Sequence, residues 1–276
     1  MVSVKLIAFD LDGTAIIAHK DFPSENREAI EKATEMGILI VPCTGRLLSF
    51  LPDSIASLRN LRYVITCNGA AVEDISENRI IYSAYIPPEK ISEVLSAINK
   101  FDIYKEIYSS GQAYTAKGNP EKAEKYFHFP EDKLHFTTKK YVFVDSLEEY
   151  FSEHKLSAEK INLPYLPIEI REKVKDKLRK IDGLKLTSSI PDNLEINAAG
   201  ATKGQALKAL CEHLNIDRNF CMAIGDNGND VDMLEYAGIS YAIGNGSPEA
   251  LTAAKYITDD CEKYGFGKAV MKEISK

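Results

Sequence analysis

The stretch VKLIAFDLDGTA, residues 4–15, constrains the fold more than any other part of the chain. It begins as an apolar run with little alternation, the mark of a strand buried on both faces. It ends on two carboxylates, Asp10 and Asp12, followed directly by Gly13 and Thr14. On a strand, side chains at i and i+2 share a face. Two carboxylates side by side at the end of a buried element repel each other, and desolvation adds to the cost. Such a pair calls for a positive partner.

The same texture recurs along the chain. ILIVPCTGR (38–46) and YVIT (63–66) read as further buried strands. Pro23 and Ser24 open a helix whose inner face carries Ala29, Ile30, Ala33 and Met36, with Gly37 placed to end it. Asn68-Gly69 followed by AAVED signals a small hairpin. Apolar strands alternating with amphipathic helices indicate a parallel sheet covered on both faces.

From about residue 83 the rhythm changes. Pro87-Pro88 starts a helix to about Lys100, and strand-like IYKEIYS follows. A mixed stretch rich in Tyr, Phe and Lys comes next, then a helix over about 168–180 and the strand LKLTSS. This stretch is close to neutral, so nearly all of the net charge of −7 lies outside it. The core rhythm then returns: a helix from Lys203 to His213, strands at 221–225, 240–244 and 256–258, and helices at 229–237 and 248–254. The expectation is one α/β core, 1–82 and 190–276, interrupted by an α+β insertion over 83–189.

In an open parallel sheet, ligands bind beyond the carboxyl ends of the strands. Four motifs fall at such ends or at a helix start: Asp10-Leu11-Asp12-Gly13-Thr14, Thr44-Gly45-Arg46, Thr202-Lys203-Gly204, and Gly225-Asp226-Asn227-Gly228-Asn229-Asp230. Asp10, Asp12 and Asp226 can share a hard divalent cation. Mg²⁺ prefers oxygen ligands and is commonly held by one or two carboxylates plus a substrate phosphate.

These motifs in this order, with the insertion between the second and third, resemble the haloacid dehalogenase superfamily. IAFDLDGT, PCTGR, ITCNGA, LEINAAGATKG and AIGDNGNDVDML look like its Cof-type phosphatases with a type IIB (αβ) cap. The resemblance spans nearly the whole core; the insertion matches in size and position only. It implies a Rossmann-like, mostly parallel core sheet with an inserted α+β cap that closes over the site and sets the substrate. It implies Mg²⁺-dependent hydrolysis of small phosphorylated metabolites such as sugar phosphates. In that scheme Asp10 is the nucleophile, and Asp12 protonates the leaving group and then activates water. The metal ligands are Asp10, the backbone carbonyl of Asp12, and Asp226. Thr44 and the neighbouring Gly45 amide hold the phosphoryl oxygens, and Lys203 neutralises Asp10 and phosphate. Asn229 contacts phosphate, Asp230 orients its neighbours, and Arg46 and Asn68 support the site or touch substrate. Some stretches depart from the pattern: Gly246 stands where alanine is usual, Leu251-Thr252 replaces a Val-Lys pair, and KYGFGKAV replaces an acidic-Gly-Val stretch.

Singly, each motif has a plainer reading. An Asp-x-Asp-Gly occurs in calcium loops, but Thr14-Ala15-Ile16-Ile17 lacks the further acids an EF-hand needs. Thr44-Gly45-Arg46 can be an ordinary turn, and Asn68-Gly69 a hairpin and nothing more. A first-turn lysine such as Lys203 sits at the unfavourable end of the helix dipole, which an anionic ligand nearby would explain. Gly244-Asn245-Gly246 lacks the third glycine of a dinucleotide fingerprint.

The acidic balance, with a pI near 5.4, argues against nucleic-acid or anionic-membrane partners. No apolar stretch approaches the ~20 residues of a membrane span, and no signal-peptide pattern opens the chain. Five scattered cysteines without a CxxC pair suggest free thiols in a reducing cytoplasm. Cys43 reads as a small core filler. The rival functions are a phosphomutase or phosphotransferase using the same aspartyl phosphate, and a non-enzymatic receiver phosphorylated on Asp10. An acid catalyst two residues on and a closing cap argue against a long-lived phosphoaspartate.

Overall fold

The computed structural model describes residues 4–17, 22–119, 141–188 and 193–276, and elements are numbered over these. The Tyr-, Phe- and Lys-rich stretch at its centre, 120–140, and the expected boundary at 189/190 lie outside the described residues. The chain divides into two compact units, Met1–Ser83 with Ala201–Lys276, and Ala84–Gly200.

The first unit opens with β1 (Leu6–Phe9), the helix Ser24–Glu35 and β2 (Leu39–Pro42). After the short turns Leu48–Phe50 and Asp53–Ala56 come β3 (Tyr63–Thr66), β4 (Ala71–Asp74) and β5 (Arg79–Ser83). The second unit contributes the helix Pro88–Ile98, β6 (Glu106–Ser109), β7 (Gln112–Ala116) and β8 (Tyr141–Val144). It continues with the helix Leu147–His154, β9 (Lys160–Leu163), the helix Ile168–Leu178, β10 (Leu184–Thr187) and β11 (Leu194–Ala198). The first unit resumes with the helix Lys203–His213, β12 (Cys221–Gly225), the helix Val231–Tyr236 and β13 (Ile239–Ala242). The helix Pro248–Ala253, β14 (Tyr256–Ile257) and the helix Gly265–Ile274 complete it.

The first unit's main sheet runs β14-β13-β12-β1-β2, parallel throughout. Alternation along β1 shows why it is apolar on both faces. Ile7 and Phe9 join a core with the Ser24–Glu35 and Gly265–Ile274 helices, while Leu6 and Ala8 pack with Ala206, Leu207 and Leu210 on the other side. The chain leaves β1 toward β2 on one side and returns through β12 on the other. This is the topological switch point where α/β sheets hold their ligands. β3 continues the parallel direction through a bridge from Cys43 to Ile65, then turns back into the antiparallel hairpin that Asn68-Gly69 predicted.

The second unit is a six-stranded sheet, β10-β11-β9-β6-β7-β8, mostly antiparallel. Its period-2 alternation puts Ile107, Ile161, Leu163, Leu194 and Ile196 in one core with the helices Pro88–Ile98, Leu147–His154 and Ile168–Leu178. Sequence reading placed the return to the core near Asn193–Ile196. In the structure β11 pairs with β9 and β10, so the second unit extends to Gly200. Local pattern marks a strand but does not name its neighbours.

Two further differences are physical. Met36 was expected on the inner face of its helix, yet it is the C-cap and is 59% exposed, because the helix ends at Glu35 before that face comes round again. The C-terminal helix was not anticipated, since glycines at 265 and 267 disfavour helix in isolation. Tertiary contact decides here. The Asn26 side chain is fully buried, donates to the Ala15 carbonyl (2.8 Å), and accepts from the Gly267 amide (3.0 Å). It thereby joins the loop after β1 to both helices on that face. Asn26→Ala leaves a buried carbonyl and a buried N–H without partners and should cost roughly 2–4 kcal/mol. Urea unfolding checks this; a loss within experimental error would mean the two groups find other partners.

Candidate active site

β12, β1 and β2 are neighbours, so the groups just past their carboxyl ends converge. Asp10 follows β1 directly and is buried; its amide donates to the Ile224 carbonyl of β12 at 2.9 Å. Thr44 follows β2, with its amide bonded to the Ile65 carbonyl at 2.9 Å. Asp226 follows Gly225 of β12.

Lys203 is the first residue of its helix, whose N-cap Thr202 accepts from the Gln205 amide at 3.2 Å. The side chain is fully buried. Its Nζ donates to Asp10 Oδ1 at 2.5 Å and to Asp230 Oδ1 at 2.6 Å. Burial works against the ammonium, but Asp10 and Asp230 outweigh it and hold the lysine's pKa well above its ordinary value. Burial likewise drives the Asp10 carboxyl well up, with Lys203 opposing. Burial, reinforced by the Asp230 charge, raises Asp226 from 3.8 to about 6, against a hydrogen bond from Thr14.

Asp10, Asp226 and Asp230 each present a carboxylate oxygen within 4.8 Å of the others. The Asp12 side chain, expected beside Asp10, is not in this group. β1 ends at Phe9 and Asp12 lies in the turn beyond it, where the i, i+2 rule no longer holds. Its carboxylate instead meets Arg46, whose Nε donates to Oδ2 at 2.7 Å and Nη2 to Oδ1 at 2.6 Å. Asp230 takes the vacated place, but its oxygens are committed: Oδ1 to Lys203, Oδ2 to the amides of Asp226 and Asn227, both at 3.0 Å. It braces the loop that presents Asp226.

Two glycines permit these approaches. Gly13 has φ +92°, and a Cβ there would lie 2.7 Å from Asp226 Oδ2. Gly69, at φ +93°, sits so close to the start of the Lys203 helix that a Cβ would fall 2.1 Å from the Thr202 carbonyl oxygen. The hairpin loop is therefore also a buttress for Lys203. Its neighbour Asn68, in the left-handed region at φ 59° and buried, accepts from Asn229 Nδ2 at 3.2 Å. It also bonds the Thr44 carbonyl through its amide at 3.0 Å. The structure thus brings together Asp10, Lys203, Asp226 and Asp230, and links Thr44, Asn68 and Asn229. Sequence reading missed Thr14, which donates to Asp226 Oδ1 at 2.7 Å. Its position directly after the acidic motif was the available signal.

The chain is similar to known proteins over most of its length. The pattern of haloacid dehalogenase-like hydrolases matches residues 7–270. The 5-amino-6-(5-phospho-D-ribitylamino)uracil phosphatase YcsE of Bacillus subtilis is 30% identical over 269 residues, covering 98% of this chain and 95% of that protein. The HMP-PP phosphatase of Klebsiella pneumoniae is 27% identical, covering 89% and 86%. Among solved structures, the subclass IIB sugar phosphatase BT4131 superposes with a TM-score of 0.81 at 26% identity, over 98% of each chain. A haloacid dehalogenase-like hydrolase from B. subtilis gives 0.83 at 26%, over 97% and 99%.

The raised carboxyl pKa values predict a pH dependence. A folded chain whose Asp226 titrates at about 6 instead of 3.8 binds more protons than the unfolded chain between those values. Stability should then fall as pH rises through that window and level off above it. In metal-free buffer, Asp226→Asn should remove a pH-dependent loss on the order of 1–2 kcal/mol. Parallel urea midpoints for the two proteins from about pH 4 to about pH 7 test this; identical pH profiles would show that Asp226 is not strained by its neighbours.

Proposed function

As a member of the haloacid dehalogenase-like hydrolases, a Cof-type subclass IIB phosphatase for small phosphorylated metabolites, this chain, we propose, hydrolyses phosphomonoesters through an aspartyl phosphate on Asp10. The observation that carries this reading is the Lys203 ammonium, buried 2.5 Å from Asp10 Oδ1. Its charge and hydrogen bond oppose the effect of burial on the Asp10 carboxyl, favour the ionised, nucleophilic form, and aim it with a fixed partner.

Asp10 attacks phosphorus with the oxygen that Lys203 does not hold. The bond from phosphorus to the ester oxygen breaks, and its electron pair stays with the leaving oxygen. Asp12 gives that oxygen a proton. The resulting Asp12 carboxylate then takes a proton from water as the water attacks phosphorus. The Asp10–phosphorus bond breaks, and inorganic phosphate and the free carboxylate are restored. Thr44, the Gly45 amide and Asn229 hold the phosphoryl oxygens in this scheme. Asn68 keeps Thr44 and Asn229 in register through its own bonds to both.

The donor set fits Mg²⁺. It consists of hard carboxylate oxygens within 4.8 Å of one another, and burial raises the pKa of both Asp10 and Asp226. With Asp230 committed to Lys203 and two amides, Asp10, Asp226 and the Asp12 carbonyl would hold the ion. When bound, Mg²⁺ supplies positive charge against the phosphoryl oxygens.

The names of two relatives, a phosphoribityl compound for one and a sugar phosphate for the other, support phosphorylated polyols and sugars as the substrates to try here. Residues 84–200 are proposed to choose among them, since the catalytic groups named above all belong to the other unit. Five free, buried cysteines support a reducing compartment, and no helix among the described residues is long and apolar enough to cross a membrane.

The test is phosphate release from a panel of such esters. Chelation should abolish turnover and Mg²⁺ restore it. Asp10→Asn should lower kcat by on the order of 10³-fold or more while the fold survives, as judged by circular dichroism. Full activity without metal, or near-normal release by the Asp10→Asn protein, would sink the scheme. Asp12→Asn should slow alkyl phosphates by roughly 10²–10⁴-fold. On p-nitrophenyl phosphate, whose leaving group needs no proton, it should give a burst and then stall.

A further inference from the structure

We propose that Arg46 is the positioning residue of Asp12: its guanidinium fork sets the plane of that carboxylate for proton exchange with the leaving group. The inference rests on the reading of Asp12 as acid and base. It goes beyond that reading by assigning Arg46 to the proton and not to the phosphoryl group.

Asp12 stands past the end of β1, so the strand itself does not orient its side chain. The fork does. Nε and Nη2 each meet a different carboxylate oxygen, at 2.7 and 2.6 Å, the parallel pairing that guanidinium and carboxylate shapes favour. Arg46 is itself fixed at three further points. Its amide donates to Thr44 Oγ1 at 3.2 Å, its carbonyl accepts from the Cys67 amide at 3.0 Å, and Nη1 donates to the Phe50 carbonyl at 3.3 Å. The arginine is thus anchored to the loop after β2 and to the hairpin loop after β3, and passes their rigidity to Asp12. Both side chains keep some access to solvent, 19% and 24%, which leaves the carboxylate reachable for proton exchange.

Three guanidinium nitrogens already face protein oxygens. The two N–H groups that hold Asp12 are closed to phosphate while that pair stands, and one further N–H remains on each of Nη1 and Nη2. Lys203, by contrast, serves the nucleophile through Asp10. The two cations therefore divide the work: Lys203 acts on Asp10 and Arg46 on Asp12. A lysine at position 46 would keep the charge but lose the fork, since an ammonium is a point donor.

Stopped-flow and steady-state assays of Arg46→Ala and Arg46→Lys, on an alkyl phosphate and on p-nitrophenyl phosphate, test this. Misplacing a catalytic group by about an ångström costs up to ~10²-fold. The expected signature is a milder copy of Asp12→Asn. Alkyl phosphate turnover should fall by roughly 10–100-fold with little change in KM. On the aryl ester, the first turnover should slow less than the steady state, so that a burst appears. Arg46→Lys should resemble Arg46→Ala, and added guanidinium should restore part of the rate to Arg46→Ala only. Arg46→Ala placed on Asp12→Asn should add little, because the two act as a unit. A large rise in KM on both esters would assign Arg46 to phosphate binding and overturn the proposal. So would equal slowing of burst and steady state, or full additivity with Asp12→Asn. The single variant Asp12→Asn separates the two levels. If it shows no burst and equal losses on both esters, the acid–base reading fails and the Arg46 assignment falls with it. If it shows the burst while Arg46→Ala does not, the Arg46 assignment alone falls.

Discussion

A lysine ammonium with no exposure to solvent, clasped by Asp10 and Asp230, is the interaction on which the rest of the first unit depends. A buried cation survives only if it is paired and hydrogen-bonded, and a buried carboxylate has the same need. Each therefore makes the other tolerable. Asp230, Lys203 and Asp10 form a chain from the loop after β12, through the start of a helix, to the end of β1. Asp226 stands beside that chain with a carboxyl pushed up to about 6. Three carboxylates against one ammonium leave an excess of negative charge in a small volume. That excess suits a divalent cation, whose charge would also offset that of an incoming phosphoryl group.

The packing exists to make this chain possible. Parallel order puts β12, β1 and β2 side by side, so three strand ends open in one place. Close backbone approach does the rest. At Gly69 the hairpin loop touches the Thr202 carbonyl, and at Gly13 the turn after β1 lies against the Asp226 carboxylate. Both residues have positive φ, so a side chain at either would be strained as well as crowded. On the far face of the sheet, Asn26 ties the loop after β1 to the C-terminal helix. The last helix thereby supports the segment that follows Asp10.

What could be read in the sequence was what is local. Apolar runs without alternation gave β1 and β12 to within two residues, but ran β2 four residues past its end at Pro42; the helix starting at Lys203 was placed at its observed ends. The odd placement of a lysine at a helix start pointed to an anionic ligand nearby; in the structure Asp10 and Asp230 accept from it. What was not legible depends on contacts between distant segments. LEINA looks the same whether it pairs with the core sheet or with β9 and β10. The strand's end at Phe9 was legible, but the turn that carries Asp12 away to Arg46 was not, since that pair joins segments 34 residues apart. The Gly265–Ile274 helix is poor in intrinsic propensity and is made stable by its partners.

The central claim is that Asp10 carries the phosphoryl group in a covalent intermediate that Asp12 resolves. The most direct measurement is mass spectrometry of the Asp12→Asn protein, quenched in acid within the burst phase after mixing with Mg²⁺ and p-nitrophenyl phosphate. The account predicts one added phosphoryl group per chain, mapped by peptide digestion to the segment that contains Asp10, and no such adduct when Asp10 is also changed to Asn. An unmodified protein during a measurable burst, or an adduct on any other residue, would contradict it.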